Sequence, residues 1–205
     1  MKLRALFLIA TLSSVPLHQA GAQTPLGNIC VILGLDGTAR VSALGAGGRP
    51  AEVGLGVGRN ATLRTADGAR ATLQCNGGLR VVVGPGSEVT VLRILEQAPR
   101  TFRLGIMQGI AGFIFGNGDA GEEVQVRTPS AVAAVRSTEW AMQVASGASA
   151  IFAREGDVFV FGETGTARLG PGDGVDVSAD GTVGAVVQWG QPRIDLFSEL
   201  LGPAW

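Results

Sequence analysis

The sequence has no tyrosine and, among its 205 residues, one histidine and one lysine. His18 and Lys2 both lie in an N-terminal segment that we expect to be removed. The remaining chain then has no imidazole base and no amine nucleophile on a side chain. This excludes Ser-His-Asp and Cys-His catalysis, Schiff-base lysines and His-ligated zinc. A carboxylate-only mechanism, as in most glycosidases, stays compatible with the composition.

The chain also lacks an excess of charge of either sign. Charged residues make up 16%, the formal net charge is -1, and 46% of the residues are hydrophobic. A disordered chain would be poorer in apolar residues, and a nucleic-acid-binding chain would be basic. We therefore predict a folded protein without a nucleic-acid partner. The 32 glycines and 9 prolines favour short strands joined by tight turns.

The N-terminus has the pattern of a secretory signal. Lys2 and Arg4 precede an apolar run over 5–12, and the small residues Ala20-Gly21-Ala22 follow it. The run is shorter than the roughly 20 residues that span a bilayer. We expect cleavage after Ala22, a mature chain that begins at Gln23 without a membrane span, and a periplasmic or secreted location.

Two cysteines remain in the mature chain, Cys30 and Cys75. An exported chain with an even number of cysteines favours one disulfide. In the chain-entropy model such a bridge is worth about 3–4 kcal/mol. Two buried free thiols are the alternative.

Alternating apolar and polar residues predict an all-β fold. Asp67-Gly68 predicts a type I′ hairpin turn between the alternating runs 60–66 and 70–75. The predicted strands are 60–66, 70–75, 79–83, 87–95, 100–106, 122–128, 131–136, 138–145, 148–153, 157–161, 174–178 and 182–188.

The strands form two related halves, 29–95 and 122–188, joined by 100–121. Within the joining segment, 105–115 is expected to be a buried strand that crosses between the halves. We predict stacked short strands in a β-sandwich or twin β-helix-like arrangement. A short C-terminal helix over 193–201 has one apolar face, which either docks on the sheets or is offered to a partner. The expected organisation is a signal peptide over 1–22, an all-β domain over 23–190 and a helical tail over 191–205.

Several ordered segments resemble the periplasmic module of the FecR family. The resemblance includes 61–73, 78–89 and 102–113, and it is most specific in the run from Val124 to Trp140. The signature residues that carry it are Thr128, Pro129, Arg136, Thr138, Glu139, Trp140, Glu155 and Gly156. Ser137 stands where the family usually has glycine, which predicts a different turn there.

The resemblance implies an all-β module with a binding role, since the family is known as the sensory part of anti-sigma regulators. The cytoplasmic helical domain and transmembrane helix of that architecture are not found, so we expect a stand-alone module. Its expected partner is a protein or an envelope polymer, with no cofactor. The signature residues are expected to be structural, with Arg136 and Glu139 paired to each other or to backbone groups.

Some residues suggest other functions. The acids near Asn117 and those at Asp173, Asp176 and Asp180 suggest calcium, but their spacing favours solvated loops. Trp140, expected in the core, and Trp189 and Trp205, the last expected to be free, are candidates for a sugar platform. The chain is predicted not to be an enzyme. The alternatives are a carboxylate-dependent carbohydrate-active enzyme on a β-helix-like scaffold and an architectural envelope protein.

Overall fold

A computed structural model describes residues 28–43, 47–95, 101–116, 123–136 and 138–205. The predicted signal peptide, its cleavage site at Ala22 and Gln23, and Ser137 lie outside the described residues. The first-half strands are β1 (Asn28–Asp36), β2 (Ala39–Ser42), β3 (Arg49–Pro50), β4 (Gly56–Gly58), β5 (Ala61–Thr65), β6 (Arg70–Cys75), β7 (Leu79–Val83) and β8 (Glu88–Leu95). The joining strand is β9 (Thr101–Phe115). The second-half strands are β10 (Glu123–Arg127), β11 (Ala131–Val135), β12 (Thr138–Ala145), β13 (Ala148–Glu155), β14 (Val158–Gly162), β15 (Thr166–Leu169), β16 (Asp173–Val177) and β17 (Val187–Gln188).

These strands form two layers. Sheet A has the order β4-β1-β6-β7-β9-β12-β13-β16-β17. Sheet B has the order β3-β2-β5-β8-β9-β10-β11-β14-β15. Neighbouring strands are antiparallel except β9 and β10, which are parallel. Each half of the chain places four strands in each sheet, one half on either side of β9. The all-β class and the two related halves are confirmed.

Strand β9 belongs to both sheets. Its first part pairs with β8 and β10 in sheet B, and its second part pairs with β7 and β12 in sheet A. The crossing falls at Gly109, whose φ is 86°. A Cβ at this glycine would lie 2.5 Å from the Cα of Ser87, so both conformation and space require glycine. The expected crossing strand is therefore confirmed, and it is longer than the predicted 100–106.

The turn at Asp67-Gly68 is not a hairpin. It joins β5 in sheet B to β6 in sheet A, and only Gly68 of the pair has positive φ. The type I′ prediction is wrong because local turn residues do not distinguish a hairpin from a corner between layers. Two consecutive positive φ values occur instead at Ser146 and Gly147, 50° and 80°, in the hairpin between β12 and β13.

The inward side chains of both sheets form one continuous core. Trp140 is fully buried there and stacks on Phe113, with 4.3 Å between ring centroids. Trp140 was expected in the core, and this is confirmed. Sheet A supplies Ile32, Leu73, Val81 and Met142 to this core, and sheet B supplies Leu63, Val89, Leu104, Val126 and Val160.

The outer face of sheet A is covered by residues 189–205, which we call the C-terminal cover. Helix α1 (Gln191–Leu201) lies within it and ends at Gly202, whose φ is 77°. Phe197 and Leu201 of the helix are buried, whereas Leu196 is 48% exposed. The short C-terminal helix is confirmed, and of its two possible roles it docks on the sheet.

Two tryptophans of the cover lie on glycines of sheet A. A Cβ on Gly112 would come 2.3 Å from Cδ1 of Trp205, and one on Gly174 would come 2.0 Å from Nε1 of Trp189. The indoles therefore occupy the space that side chains at these positions would fill. Trp205 was expected to be free, and this was wrong: it is 8% exposed.

The predicted strand 182–188 is mostly irregular. Thr182 and Val183 form isolated bridges, and β17 begins at Val187. Among the described residues, no helix is both long and apolar enough to cross a membrane.

Candidate functional site

The outer face of sheet B has no described element packed over it, in contrast to the covered outer face of sheet A. Alternation along the strands directs one set of side chains to the core and the other set to this surface. We call the second-half portion of this surface the open face. It consists of Arg103, Gln125, Arg127, Val132, Ala134, Phe159, Phe161 and Arg168.

The register places these side chains in two rows. The first row runs through Arg103, Gln125, Ala134, Phe159 and Arg168, which are successive partners across five strands. The second row runs through Gly105, Arg127, Val132, Phe161 and Thr166. Each row therefore carries an arginine, a small or medium-sized residue and a phenylalanine in the same order.

Two grooves lie on the open face and meet at Gln125. The larger, of about 570 Å³, extends from Glu123 and Arg136 to Phe159 and Phe161. The smaller, of about 360 Å³, lies between the two arginines. It is lined by Leu92, Arg103, Leu104, Gln125, Arg127 and Val132. Phe159 and Phe161 are 45% and 46% exposed, so two aromatic rings remain in contact with solvent.

The arginines of sheet B's outer surface differ in how they are neutralised. Arg64 pairs with Glu88 at 2.8 Å, and Arg168 pairs with Asp157 at 3.0 Å. Arg103 and Arg127 are exposed and form no ion pair with a described residue. The centre of the open face therefore carries positive charge that no described residue neutralises, although the chain as a whole has a net charge of -1.

Asp157 and Arg168 form the margin of the open face. Arg168 donates two hydrogen bonds to the Asp157 carboxylate, at 3.1 and 3.0 Å. These bonds, more than the accompanying charge attraction, hold the pKa of Asp157 below its usual range and raise the pKa of Arg168. The Arg168 guanidinium carbon also lies 5.7 Å from the ring centroid of Phe159.

The start of the family signature forms a buried hydroxyl network. Thr128 Oγ1 accepts a hydrogen bond from the Ala131 backbone N–H at 2.9 Å and another from the Ser149 hydroxyl at 2.7 Å. Ser130 lies 2.7 Å from the same Ser149 hydroxyl. Pro129 lies exposed between Thr128 and Ser130. Proline has no backbone N–H, and at this position in the turn no hydrogen bond between strands is lost. This part of the signature shapes the turn between β10 and β11.

Arg136 and Glu139 do not pair with each other. Arg136 is exposed and lies 3.8 Å from Glu123, whereas Glu139 accepts a hydrogen bond from Arg154 at 2.6 Å. Thr138 lies between these two residues in the chain, and its hydroxyl donates to the Arg136 carbonyl at 3.2 Å or to the Asp157 carbonyl at 3.3 Å. Arg136 and Glu139 belong to different layers, since Arg136 directly follows the sheet B strand β11 and Glu139 lies in the sheet A strand β12.

The second signature segment makes the corner between β13 and β14. Glu155 and Gly156 are both exposed, and Gly156 has a φ of 72°. Glycine is needed here because the chain reverses from sheet A into sheet B. Gly156 also lines the larger groove, so the signature contacts the open face at this corner and at Arg136.

Cys30 and Cys75 form a disulfide and are 3% and 4% exposed. They are direct partners on the neighbouring strands β1 and β6 of sheet A. The predicted bridge is confirmed, and it lies away from the open face.

The tryptophans do not form a sugar platform. Trp140, Trp189 and Trp205 are 0%, 7% and 8% exposed. Their indole Nε1 atoms are buried without a hydrogen-bond partner.

The acids that suggested calcium have protein partners. Asp176 pairs with Arg193, Asp173 accepts from the Gly170 N–H at 2.9 Å, and Asp180 accepts from the Thr182 N–H at 3.0 Å. The Ser178 and Thr182 hydrogen bonds lower the pKa of Asp180. Within the described ranges no cluster of three metal-ligating side chains occurs. The loop at 117–122 lies outside the described residues.

Comparison with known families agrees with this architecture. A family model described as FecR protein matches residues 61–159. The chain contains a FecR domain. The match runs from β5 to β14 and includes β9, the disulfide cysteine Cys75 and both parts of the signature. The FecR match supports a signalling module.

Solved structures share the fold. Two crystal structures from Parabacteroides distasonis, each described as a candidate anti-sigma factor, superpose with TM-scores of 0.56 and 0.52 at 18% and 19% identity. The first alignment covers 69% of this chain and 65% of the other, and the second covers 62% and 57%. The aligned part therefore spans less than two thirds of either neighbour. No curated protein matches the chain.

Sequence reasoning did not find the open face. The sequence pattern predicts Phe159 and Phe161 in the strand 157–161, but the prediction does not include the side of the sheet that they face. The alternation Val158, Phe159, Val160, Phe161 contains the signal, because two large aromatics alternate with valines that the core requires. Arg103 and Arg127 lay within predicted strands too, but only their register brings them together.

Proposed function

We propose that this protein is an exported, non-enzymatic FecR-like module that binds a protein partner through the open face. The observation that carries the proposal is the asymmetry between the two layers. The C-terminal cover packs on apolar side chains of the central strands of sheet A, whereas sheet B presents exposed phenylalanines and arginines that form no ion pair with a described residue. Exposed apolar groups rimmed by polar ones are typical of interaction sites.

Export is supported by the signal-like N-terminus and by the disulfide, since disulfides persist in oxidising compartments. The FecR domain is also consistent with a location in the cell envelope. A protein partner is favoured over a polysaccharide because all three tryptophans are buried and the chain has no tyrosine. The exposed pair of phenylalanines is better suited to contact apolar side chains of a protein than to bind a sugar chain.

A non-enzymatic role is supported by the chemistry of the described acids. Asp157, Asp173, Asp176 and Asp180 are engaged in ion pairs or hydrogen bonds at the surface. The shifts found for Asp157 and Asp180 lower the pKa, whereas a general acid near neutral pH needs a raised pKa. The alternative is an architectural role in the envelope. Identification of a discrete binding partner would exclude it.

Site-specific photocrosslinking in the producing cell tests the proposal. Phe161→p-benzoylphenylalanine keeps an aromatic side chain on the open face. Leu196→p-benzoylphenylalanine places the same group on the exposed side of the C-terminal cover as the control. We expect a discrete protein adduct at position 161 that is absent at position 196. Adducts only at 196, none at either position, or a glycosidase-sensitive smear at 161 would contradict a protein partner on this face.

A further inference from the structure

We propose that the open face recognises an acidic protein segment that also carries an apolar side chain. This inference rests on the proposed function and names the chemistry of the partner. It commits to a peptide segment as the occupant, because the positive charges and the aromatic rings lie in fixed order across the same strands.

The charge argument begins with Arg103 and Arg127 on adjacent strands. Arg103 is opposite Gln125, and Arg127 is opposite Gly105, which has no side chain. The two arginines are therefore diagonal neighbours, with Cβ atoms about 7 Å apart. Both arginines line the smaller groove, where a carboxylate can accept charge-assisted hydrogen bonds from a guanidinium. An acidic ligand would supply the counter-charge that the described residues do not.

The apolar argument concerns Phe159 and Phe161. Both rings are nearly half exposed. Val132 separates Phe161 from Arg127, whereas Gln125 and Ala134 together separate Phe159 from Arg103. The small alanine keeps the floor of the groove low between charge and ring. From Arg127 to Phe161 is two strand spacings, about 10 Å, or about three extended residues. A segment with an acid and an apolar residue three positions apart would meet both features.

A membrane surface fits these features less well than a peptide. Peripheral membrane binding uses an amphipathic helix with basic residues, whereas the open face is a sheet with Asp157 and Glu123 at its margin. Arginine and aromatic residues are enriched at the centres of protein interfaces. Binding to anionic vesicles is therefore an outcome of the test rather than the expectation.

Selection from a random 12-residue peptide display library on the mature protein tests the inference. We expect selected peptides rich in Asp and Glu with an apolar residue nearby. Their affinity should fall about tenfold or more in Arg103→Gln/Arg127→Gln and in Phe159→Ser/Phe161→Ser, and it should weaken with added salt. The matched control Arg59→Gln/Arg80→Gln removes the same charge from two exposed arginines outside the open face and should bind as the parent does. Circular dichroism and urea midpoints confirm that each variant is folded.

The outcomes separate this inference from the proposed function. Peptides without acids, or acidic peptides that bind the Arg103/Arg127 variant equally well, would overturn the inference and leave a protein partner in place. Failure to select any peptide would overturn the inference, and if phosphatidylglycerol vesicles or polygalacturonate bind instead, the protein partner fails as well.

Discussion

The guanidinium of Arg154 lies over the indole of Trp205, with 3.6 Å between its carbon and the ring centroid. The same guanidinium donates to Glu139 at 2.6 Å. One side chain thus connects a signature residue of β12 to the last residue of the chain. Arg193 covers Trp189 in the same manner at 3.7 Å. The C-terminal cover is therefore held by stacked arginines as well as by apolar contacts, and it forms part of the folded module.

Truncating the last indole tests how much the cover contributes. Trp205→Ala removes a nearly buried ring from the apolar contact between the C-terminal cover and sheet A, and it leaves Arg154 without its stacking partner. We expect the free energy of unfolding to fall by about 3 kcal/mol, measured by urea denaturation. Leu196→Ala, on the exposed side of the same helix, is the control and should change stability by less than about 0.5 kcal/mol. Equal effects of the two changes would show that the cover is not docked in solution.

The disulfide gives a second prediction. The native protein should show no titratable thiol after denaturation without reductant, because Cys30 and Cys75 are joined. Cys30→Ser/Cys75→Ser should lower the free energy of unfolding by about 3–4 kcal/mol, since the unfolded chain regains the freedom of the closed loop. Two thiols in the native exported protein would refute the bridge, and an unchanged urea midpoint would refute its contribution.

Much of this fold follows from the period-two pattern, and the predicted strands 70–75, 79–83 and 138–145 have the observed bounds. The layer to which each strand belongs did not follow from the pattern. Asp67-Gly68 has the composition of a hairpin turn, yet the strands around it find their partners in different sheets. Those partners are distant in the chain, as β5 pairs with β2 and β8. Local sequence does not encode such pairing.

The candidate site was predictable only in part. The signature predicted local structure, and the structure gives physical roles to Thr128 and Gly156 as turn residues. The open face depends on the register of five strands, so single-strand periodicity identifies its residues as outward or inward but not as neighbours. The position of Trp205 could not be inferred either, because the glycine beneath it, Gly112, is 93 residues away in the chain and carries no apolar signal.

The pair at the margin of the open face predicts a pH effect. Hydrogen bonds from Arg168 lower the native pKa of Asp157 below the ordinary value of 3.8. A lowered native pKa stabilises the fold above the ordinary value, and the contribution is lost as the pH falls through the native pKa. In Arg168→Gln the carboxyl pKa of Asp157 should return towards its ordinary value in an NMR titration. Since the pair is exposed, high salt should reduce the difference between the parent and the variant. An identical titration of Asp157 in both proteins would contradict the role of Arg168.

The N-terminal pattern gives a prediction about processing. Protein recovered from the producing cell should begin at Gln23, because the small residues before it match a signal-peptidase site. N-terminal sequencing of the exported protein measures this directly. Ala22→Lys places a long charged side chain at the site and should block cleavage, whereas Gln23→Ser should be processed normally. Retention of Met1 on the exported parent protein would contradict the predicted signal.

The contact between Gly112 and Trp205 makes the last prediction. A Cβ at position 112 would come 2.3 Å from Cδ1 of the indole and 2.7 Å from Cγ. The backbone there is fixed by pairing to Val82 of β7 and Ala141 of β12, so the indole must move. We expect Gly112→Ala to cost about 1–3 kcal/mol of unfolding free energy in urea denaturation.

In the Trp205→Ala background the indole is already gone, and the added methyl group of Gly112→Ala meets no clash with it. The cost of Gly112→Ala should then fall below about 1 kcal/mol, so the double-mutant cycle should show coupling between the two positions. Gly116→Ala is the control, because a Cβ there would meet no described atom within 4 Å. Its cost should be the same with and without Trp205. If the effects of Gly112→Ala and Trp205→Ala simply add, the indole does not rest on Gly112, and the outer face of sheet A must be covered in another way.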